Sequence, residues 1–123
     1  MPANLYVAVV DDDESVRRAM SRLLQQAGMQ PIGFESAEDF LADPLRDHFR
    51  CLLVDVRLGG MSGIELQKRL IDLGAHQPII YITSHDDPDA EMQARVTGGC
   101  AGYFRKTDGG PAIIEAIRRA VSP

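Results

Sequence analysis

Short, largely apolar runs alternate with amphipathic stretches five times along the chain, and this alternation constrains the fold more than any other feature. Runs of this length between glycines, prolines and acidic residues are typical of strands buried on both faces of a sheet. The five runs are Leu5–Val10, Pro31–Phe34, Cys51–Val54, Pro78–Thr83 and Gly102–Lys106. Because strands that alternate with helices are joined by right-handed crossovers, the pattern predicts one parallel sheet covered by helices on both faces.

The stretches between the runs carry apolar residues at the three- and four-residue steps of a helix face. Gly28 and Gly74 are expected to end the first and third helices. Ser36 is a candidate cap for a second helix, and Ser62 with Glu65 fits a capping box. The expected inward-facing residues are Val16, Ala19, Met20, Leu23, Leu24 and Ala27, then Phe40 and Leu41, then Ile64, Leu66, Leu70, Ile71 and Leu73, and finally Ile113, Ile114, Ile117, Ala120 and Val121.

The fourth helix differs from the others. Asp87-Pro88 is expected to start it and Thr97 to end it, but its apolar residues form no continuous stripe. A helix with so little apolar surface to bury is a candidate for movement.

The expected fold is therefore α/β and doubly wound, a flavodoxin-like (βα)5 arrangement with strand order 2-1-3-4-5. At 123 residues the chain is expected to be one domain, residues 1–123, with no room for an output domain.

A net charge of −5 argues against a dedicated nucleic-acid binder. No apolar stretch is long enough for a membrane span and no signal peptide is evident, so the cytoplasm is expected. Cys51 and Cys100 form no ligand-like cluster.

Polar side chains follow four of the five predicted strands, at the edge where ligands bind in parallel sheets. The groups are Asp11 and Asp12, then Asp55, then Thr83, then Lys106. Carboxylates crowded together repel one another, and Mg²⁺ is the hard cation that such oxygens prefer. With a hydroxyl and an ammonium opposite, the set suits phosphoryl transfer to a carboxylate nucleophile, and Asp55 is the expected centre.

Each of these residues also has a plain structural explanation. The four acids of Asp11–Glu14 could be residues that a helix N-terminus favours, and this is the explanation adopted for Asp13 and Glu14. Asp55 could simply end a strand and start a turn. Thr83 could cap a strand and Lys106 could be an exposed charge. The combination of acid, acid, hydroxyl and base at successive strand ends favours the functional interpretation.

The pattern resembles the receiver domain of bacterial two-component response regulators over essentially the whole chain. The likeness rests on Val9–Arg17, on Leu53–Leu58 followed by Met61–Leu66, on Ile82–Ser84 and on Tyr103–Lys106. The resemblance implies that a sensor histidine kinase or phosphotransfer protein phosphorylates the chain, and that the partner downstream is an output domain or target protein, with a phosphorylation-dependent homodimer as a further option. Some segments look like those of regulators with a helix-turn-helix output, although this domain itself is not expected to contact nucleic acid or membrane.

The resemblance also implies individual roles. Asp55 would accept the phosphoryl group. Asp11, Asp12, Asp55 and the carbonyl of Arg57 would hold Mg²⁺. Lys106 and Thr83 would bond the phosphoryl oxygens, and Tyr103 would move inward with Thr83. Arg57 and His85 would flank the phosphoryl group and tune its hydrolysis, and the fourth helix, fifth strand and fifth helix would form the readout face.

Two segments depart from the family pattern. The loop Leu58–Met61 lacks the usual proline, and Lys106 is followed by Thr107 where the family has proline after a cis bond. A cis bond before a residue other than proline costs about 2.5–4 kcal/mol, so either the site supports that strain or the bond is trans and Lys106 is aimed differently.

Alternatives of other classes remain. The chain could be a receiver-like interaction module that phosphate does not regulate. An aspartyl phosphatase of the haloacid dehalogenase type would place Asp-x-Asp-Gly-Thr after the first strand, which Asp11–Ser15 does not match. A flavin-binding protein would need a phosphate loop there in place of the acids. The receiver interpretation treats the chain as a signalling domain that catalyses only its own phosphorylation and dephosphorylation.

Overall fold

Strands and helices alternate as the sequence predicts in the computed structural model, which describes residues 5–84 and 87–122. The elements are β1 (Tyr6–Val10), α1 (Glu14–Gln26), β2 (Gln30–Phe34), α2 (Ala37–Ala42), a short 3₁₀ helix (Arg46–His48), β3 (Cys51–Val54), α3 (Gly63–Asp72), β4 (Ile79–Thr83), α4 (Pro88–Thr97), β5 (Cys100–Arg105) and α5 (Gly110–Val121). The strands are parallel, in the order β2-β1-β3-β4-β5, which confirms the predicted topology.

Alternation along the strands divides the core between the two faces of the sheet. In β1, Ala8 and Val10 contribute to one apolar cluster with residues of α2, α3 and α4. Val7 and Val9 point to the other face and contribute to a second cluster with residues of α1 and α5. Both faces of the sheet are therefore covered by apolar side chains, and for this reason most strands appear in the sequence as continuous apolar runs.

The register of the sheet brings the polar strand ends together. Val10 of β1 pairs with Val54 of β3, so the next residues, Asp11 and Asp55, leave the sheet side by side. The backbone N–H of Asp55 donates to the carbonyl of Val10 at 3.0 Å and fixes that alignment.

The predicted helix signals are confirmed. The side chain of Ser36 accepts from the N–H of Asp39, and Ser62 and Glu65 form a capping box. Gly28 and Gly74 follow their helices with φ of 83° and 75°, the left-handed region that glycine adopts at no steric cost.

Two predictions about packing and boundaries are wrong. Ile71 and Leu73 do not face the core but are 42% and 51% exposed, and Ala19 of α1 is exposed as well. Ile71 shares a helix face with buried Ile64, but it lies in the last turn of α3 and lines a cavity, and Leu73 lies beyond the last helical residue. β5 begins at Cys100 and ends at Arg105, since a register shift beside Ile79 lets pairing start before the predicted Gly102.

The expected weak anchoring of α4 is confirmed. Ala94 is its only buried residue among those described, while Met92 and Val96 are 64% and 77% exposed. Asp87 caps the helix and Pro88 is its first residue, as predicted. No helix in the described part of the chain is both long and apolar enough to cross a membrane.

Candidate functional site

Three carboxylates meet at the carboxyl ends of β1 and β3. Asp11, Asp12 and Asp55 each offer an oxygen atom, and these oxygens lie within 4.8 Å of one another. Asp11 and Asp55 are 3% and 7% exposed, whereas Asp12 is open to solvent. The predicted acidic cluster is therefore present, with two buried carboxylates and one that is exposed to solvent.

Backbone groups fix the orientation of the two buried carboxylates. The N–H of Asp13 donates to Oδ1 of Asp11 at 2.9 Å. The N–H of Arg57 donates in the same way to Oδ1 of Asp55 at 3.0 Å. Each side chain is thus held by one oxygen, and its second oxygen faces the interior of the cluster.

Lys106 occupies the space between these second oxygens. Its Nζ lies 3.0 Å from Oδ2 of Asp55 and 3.2 Å from Oδ2 of Asp11. The backbone N–H of Lys106 donates to the carbonyl of Thr83 at 2.8 Å, which ties the lysine to the end of β4.

The Lys106–Thr107 peptide bond is trans, because the described residues contain no cis peptide. The question raised by the missing proline is answered: the lysine reaches Asp55 without a cis bond. Asp108 closes the turn that follows, since its Oδ2 accepts from the N–H of Arg105 at 2.8 Å and its own N–H donates to the carbonyl of Arg105 at 2.9 Å.

Burial and neighbouring groups both shift the pKa values of Asp11 and Lys106. Burial raises the pKa of Asp11, and the neighbouring charge of Asp55 adds to that rise, while the bond from Asp13 and the ammonium of Lys106 oppose it. Burial tends to lower the pKa of Lys106, but its bonds to the two carboxylates outweigh burial and the pKa is raised. The ammonium of Lys106 therefore stays protonated, and this one cation lies within a cluster of three carboxyl groups.

Thr83 and Tyr103 lie on the side of the cluster that faces α4. Thr83 is the last residue of β4 and is 1% exposed. Tyr103 pairs with Tyr81 across β4 and β5, and the ring centroids are 5.9 Å apart. The hydroxyl oxygen of Tyr103 is buried and has no hydrogen-bond partner among the described residues. Burial raises the pKa of Tyr103, and the charges of Asp87 and Glu91 raise it further.

Arg57 extends from the loop after Asp55 toward α4. Its Nη2 lies 3.1 Å from Oδ2 of Asp87. His85, the other predicted tuning residue, lies outside the described residues.

Two residues that the sequence interpretation did not single out hold the loops of the cluster. Nη1 of Arg17 donates to the backbone carbonyl of Asp11 at 2.6 Å. Oε2 of Glu38 accepts from the N–H of Met61 at 3.1 Å, beside Gly60, whose φ is 72°. The first contact spans six positions and the second 23, and no spacing rule predicts either of them.

Comparisons with known proteins agree with this geometry. Residues 7–118 match the model of the response regulator receiver domain. The chain is 36% identical over 111 residues to nodulation protein W of Bradyrhizobium diazoefficiens, covering 90% of this chain and 48% of that protein. It is 36% identical over 121 residues to the transcriptional regulatory protein FixJ of Azorhizobium caulinodans, covering 98% and 57%. The chain thus spans about half the length of these relatives.

Solved structures show the same fold. The crystal structure of FixJ-N superimposes with a TM-score of 0.87 at 35% identity, covering 98% of this chain and 95% of that one. A response regulator receiver protein from Burkholderia phymatum superimposes with a TM-score of 0.81 at 35% identity, covering 96% and 95%. The chemotaxis protein CheY4 of Vibrio cholerae, at 24% identity, shares the fold with a TM-score of 0.85, covering 96% and 99%.

Proposed function

The chain belongs to the family of response regulator receiver domains, and on that premise we propose that Asp55 is its phosphoacceptor. The observation that carries this assignment is the geometry around Asp55. One carboxylate oxygen is fixed by the N–H of Arg57, and the other faces the ammonium of Lys106 at 3.0 Å. A carboxylate so oriented is an adequate nucleophile for a phosphoryl group.

In the reaction, a carboxylate oxygen of Asp55 attacks the phosphorus of a phosphohistidine on the donor. The oxygen–phosphorus bond forms while the phosphorus–nitrogen bond breaks, and the electron pair returns to the imidazole of the donor. Lys106 then neutralises charge on the phosphoryl oxygens, and the hydroxyl of Thr83 donates to one of them. Tyr103 follows Thr83 inward in this scheme.

The residues of the cluster fit a magnesium ion. Asp11, Asp12 and Asp55 supply carboxylate oxygens close enough together to share one cation, and the carbonyl of Arg57 would be a further oxygen ligand. When bound, the ion offsets the negative charge that the carboxylates and phosphoryl group bring together. The set contains only the hard oxygen donors that Mg²⁺ prefers.

The partners that we propose follow from this chemistry. The phosphoryl donor is a sensor histidine kinase or a phosphotransfer protein. The partner that responds to phosphorylation is an output domain of the same protein or a separate target protein. The face formed by α4, β5 and α5 carries the change, with a phosphorylation-dependent homodimer as one form of readout. The domain acts as a switch in the cytoplasm that catalyses only its own phosphorylation and dephosphorylation.

Intact mass spectrometry after incubation with Mg²⁺ and phosphoramidate tests this proposal. We expect one labile phosphoryl adduct on the wild type and none on Asp55→Ala. Asp13→Asn is the matched control, because Asp13 is the cap of α1 and asparagine keeps that cap; it should be modified like the wild type.

Rapid hydrolysis could remove an adduct before detection, so the same proteins are titrated with beryllofluoride, a stable phosphoryl mimic. Failure of the wild type to bind this mimic in the presence of Mg²⁺ would overturn the proposal and favour an interaction module that phosphate does not regulate.

A further inference from the structure

Arg57 connects the loop after Asp55 to the first turn of α4. Its backbone N–H holds Oδ1 of Asp55 at 3.0 Å, while its guanidinium holds Oδ2 of Asp87 at 3.1 Å. These two contacts come from one residue, the first through its backbone and the second through its side chain. Arg57 is therefore placed to respond to a change at Asp55 and to transmit it to α4.

Asp87 uses both of its carboxylate oxygens in this arrangement. Oδ1 accepts from the N–H of Ala90 and caps α4, and Oδ2 receives Arg57. The bond from Ala90 and then the contact with Arg57 lower the pKa of Asp87. The start of α4 is thus pinned to the loop after Asp55 through one ionised carboxylate.

The other end of α4 is held by a different kind of contact. Nε2 of Gln67 in α3 donates to the carbonyls of Ala94 and Gly98 at 2.9 and 2.6 Å, and Oε1 of Gln67 accepts from the hydroxyl of Tyr81. Gln67 is 1% exposed, whereas the side chain of Arg57 is 56% exposed. An exposed ion pair is weak and a buried, satisfied amide is costly to break, so the start of α4 is the end that can be released.

We propose that Arg57 exchanges partners when Asp55 is phosphorylated, leaving Asp87 for the phosphoryl oxygens and freeing the first turn of α4. A phosphoryl group brings up to about two negative charges, and guanidinium binds such oxygens in a bidentate manner, whereas the contact with Asp87 is single. The C-terminal end of α4 remains fixed by Gln67 and acts as the pivot. This inference rests on the proposed function of Asp55 and specifies how its modification is read out.

The affinity for beryllofluoride at saturating Mg²⁺ tests the exchange. Substituting Asp87 and substituting Arg57 should shift this affinity in opposite directions. Asp87→Asn keeps the helix cap but releases Arg57, so the mimic should bind about two- to five-fold more tightly, the range that an exposed ion pair commands. Arg57→Gln should bind the mimic more weakly by a similar factor. Fluorine NMR of the bound mimic provides the measurement.

A double variant and a charge control separate the exchange from general electrostatics. Asp89→Asn removes the same charge from the first turn of α4 without removing the carboxylate that Arg57 contacts, and its affinity should stay within two-fold of the wild type. Arg57→Gln combined with Asp87→Asn should bind like Arg57→Gln alone. If Asp87→Asn increases the affinity equally with and without Arg57, the effect is general charge and the exchange is wrong.

Amide hydrogen exchange gives a readout that does not depend on affinity. In the wild type, the mimic should protect the amides of the loop after Asp55 and increase exchange in the first turn of α4, while amides near Gly98 stay unchanged. In Asp87→Asn, the first turn should exchange about two- to five-fold faster than in the wild type before the mimic is added, because only the exposed ion pair is lost. Protection of the loop without a change in α4 would refute the exchange and leave the proposed function intact, whereas no protection anywhere would refute the proposed function itself.

Discussion

Replacing Gly63 by alanine tests how closely the site is packed against α3. A Cβ at this position would lie 2.7 Å from the backbone carbonyl oxygen of Asp55, 2.9 Å from Cε1 of Tyr81 and 3.1 Å from Cα of Val56. Two of these atoms belong to the backbone, and Tyr81 is fully buried. None can move away cheaply, so the loop that carries Asp55 must shift.

Gly110 is a matched control for this change. Like Gly63, it is the first residue of its helix, and its Cβ would also meet an atom at 2.7 Å, but that atom is Cδ1 at the end of the Leu23 side chain. Any gain from alanine in a helix applies to both positions and cancels in the comparison. The difference between the variants is therefore the cost of overpacking against rigid atoms, about 1–3 kcal/mol.

Urea unfolding of the metal-free proteins measures this difference. We expect Gly63→Ala to be less stable than Gly110→Ala by about 1–3 kcal/mol with an unchanged m-value. Displacing Asp55 should also weaken Mg²⁺ binding in Gly63→Ala and not in Gly110→Ala. Equal unfolding free energies for the two variants would refute the packing argument.

Other predictions concern the cluster and its supports. The raised pKa of Asp11 means that its contribution to stability is present below its ordinary value of 3.8 and is lost as pH rises through the higher folded value. Asp11→Asn should therefore raise the unfolding free energy at neutral pH without Mg²⁺, by an amount that shrinks toward pH 3.8. Tyr81→Phe leaves Oε1 of Gln67 without its 2.6 Å donor, which should cost about 1–3 kcal/mol in thermal or urea unfolding. Glu38→Ala should weaken Mg²⁺ binding in calorimetric titration because the N–H of Met61 loses its acceptor, whereas Glu38→Gln keeps an acceptor oxygen and should bind Mg²⁺ like the wild type.

Each of these predictions has an outcome that contradicts it. A pH-independent difference between Asp11→Asn and the wild type would show that titration of Asp11 is not its cause. Unchanged stability of Tyr81→Phe would mean that another donor serves Gln67. Equal loss of Mg²⁺ affinity in Glu38→Ala and Glu38→Gln would assign the effect to charge and not to the hydrogen bond with the loop.

The sequence was informative where local chemistry decides the structure. The five strands and the caps at Ser36 and Asp87 could be predicted because each follows from spacing within a short segment. The strand order could be predicted from the doubly wound fold class, which the alternation of strands and helices along the whole chain indicates. The convergence of Asp11 and Asp55 could be predicted as well, since adjacent parallel strands end at the same edge.

The sequence was less informative where the structure depends on contacts between separate elements. Whether Lys106 reaches Asp55 through a trans bond depends on the turn closed by Asp108, which no spacing rule specifies. The contact of Arg57 with Asp87 joins side chains 30 positions apart. Ile71 is apolar and has the spacing of a core residue, but its exposure depends on whether a neighbouring element covers the end of α3.

The central claim is that Asp55 carries the phosphoryl group, and chemical mapping of the modified residue tests it most directly. Borohydride reduces an aspartyl phosphate to homoserine, which peptide mass spectrometry locates in the sequence. After reaction with phosphoramidate and Mg²⁺, we expect homoserine at position 55 and aspartate at positions 11 and 12. Homoserine at position 11 or 12, with Asp55 unmodified, would contradict the assignment.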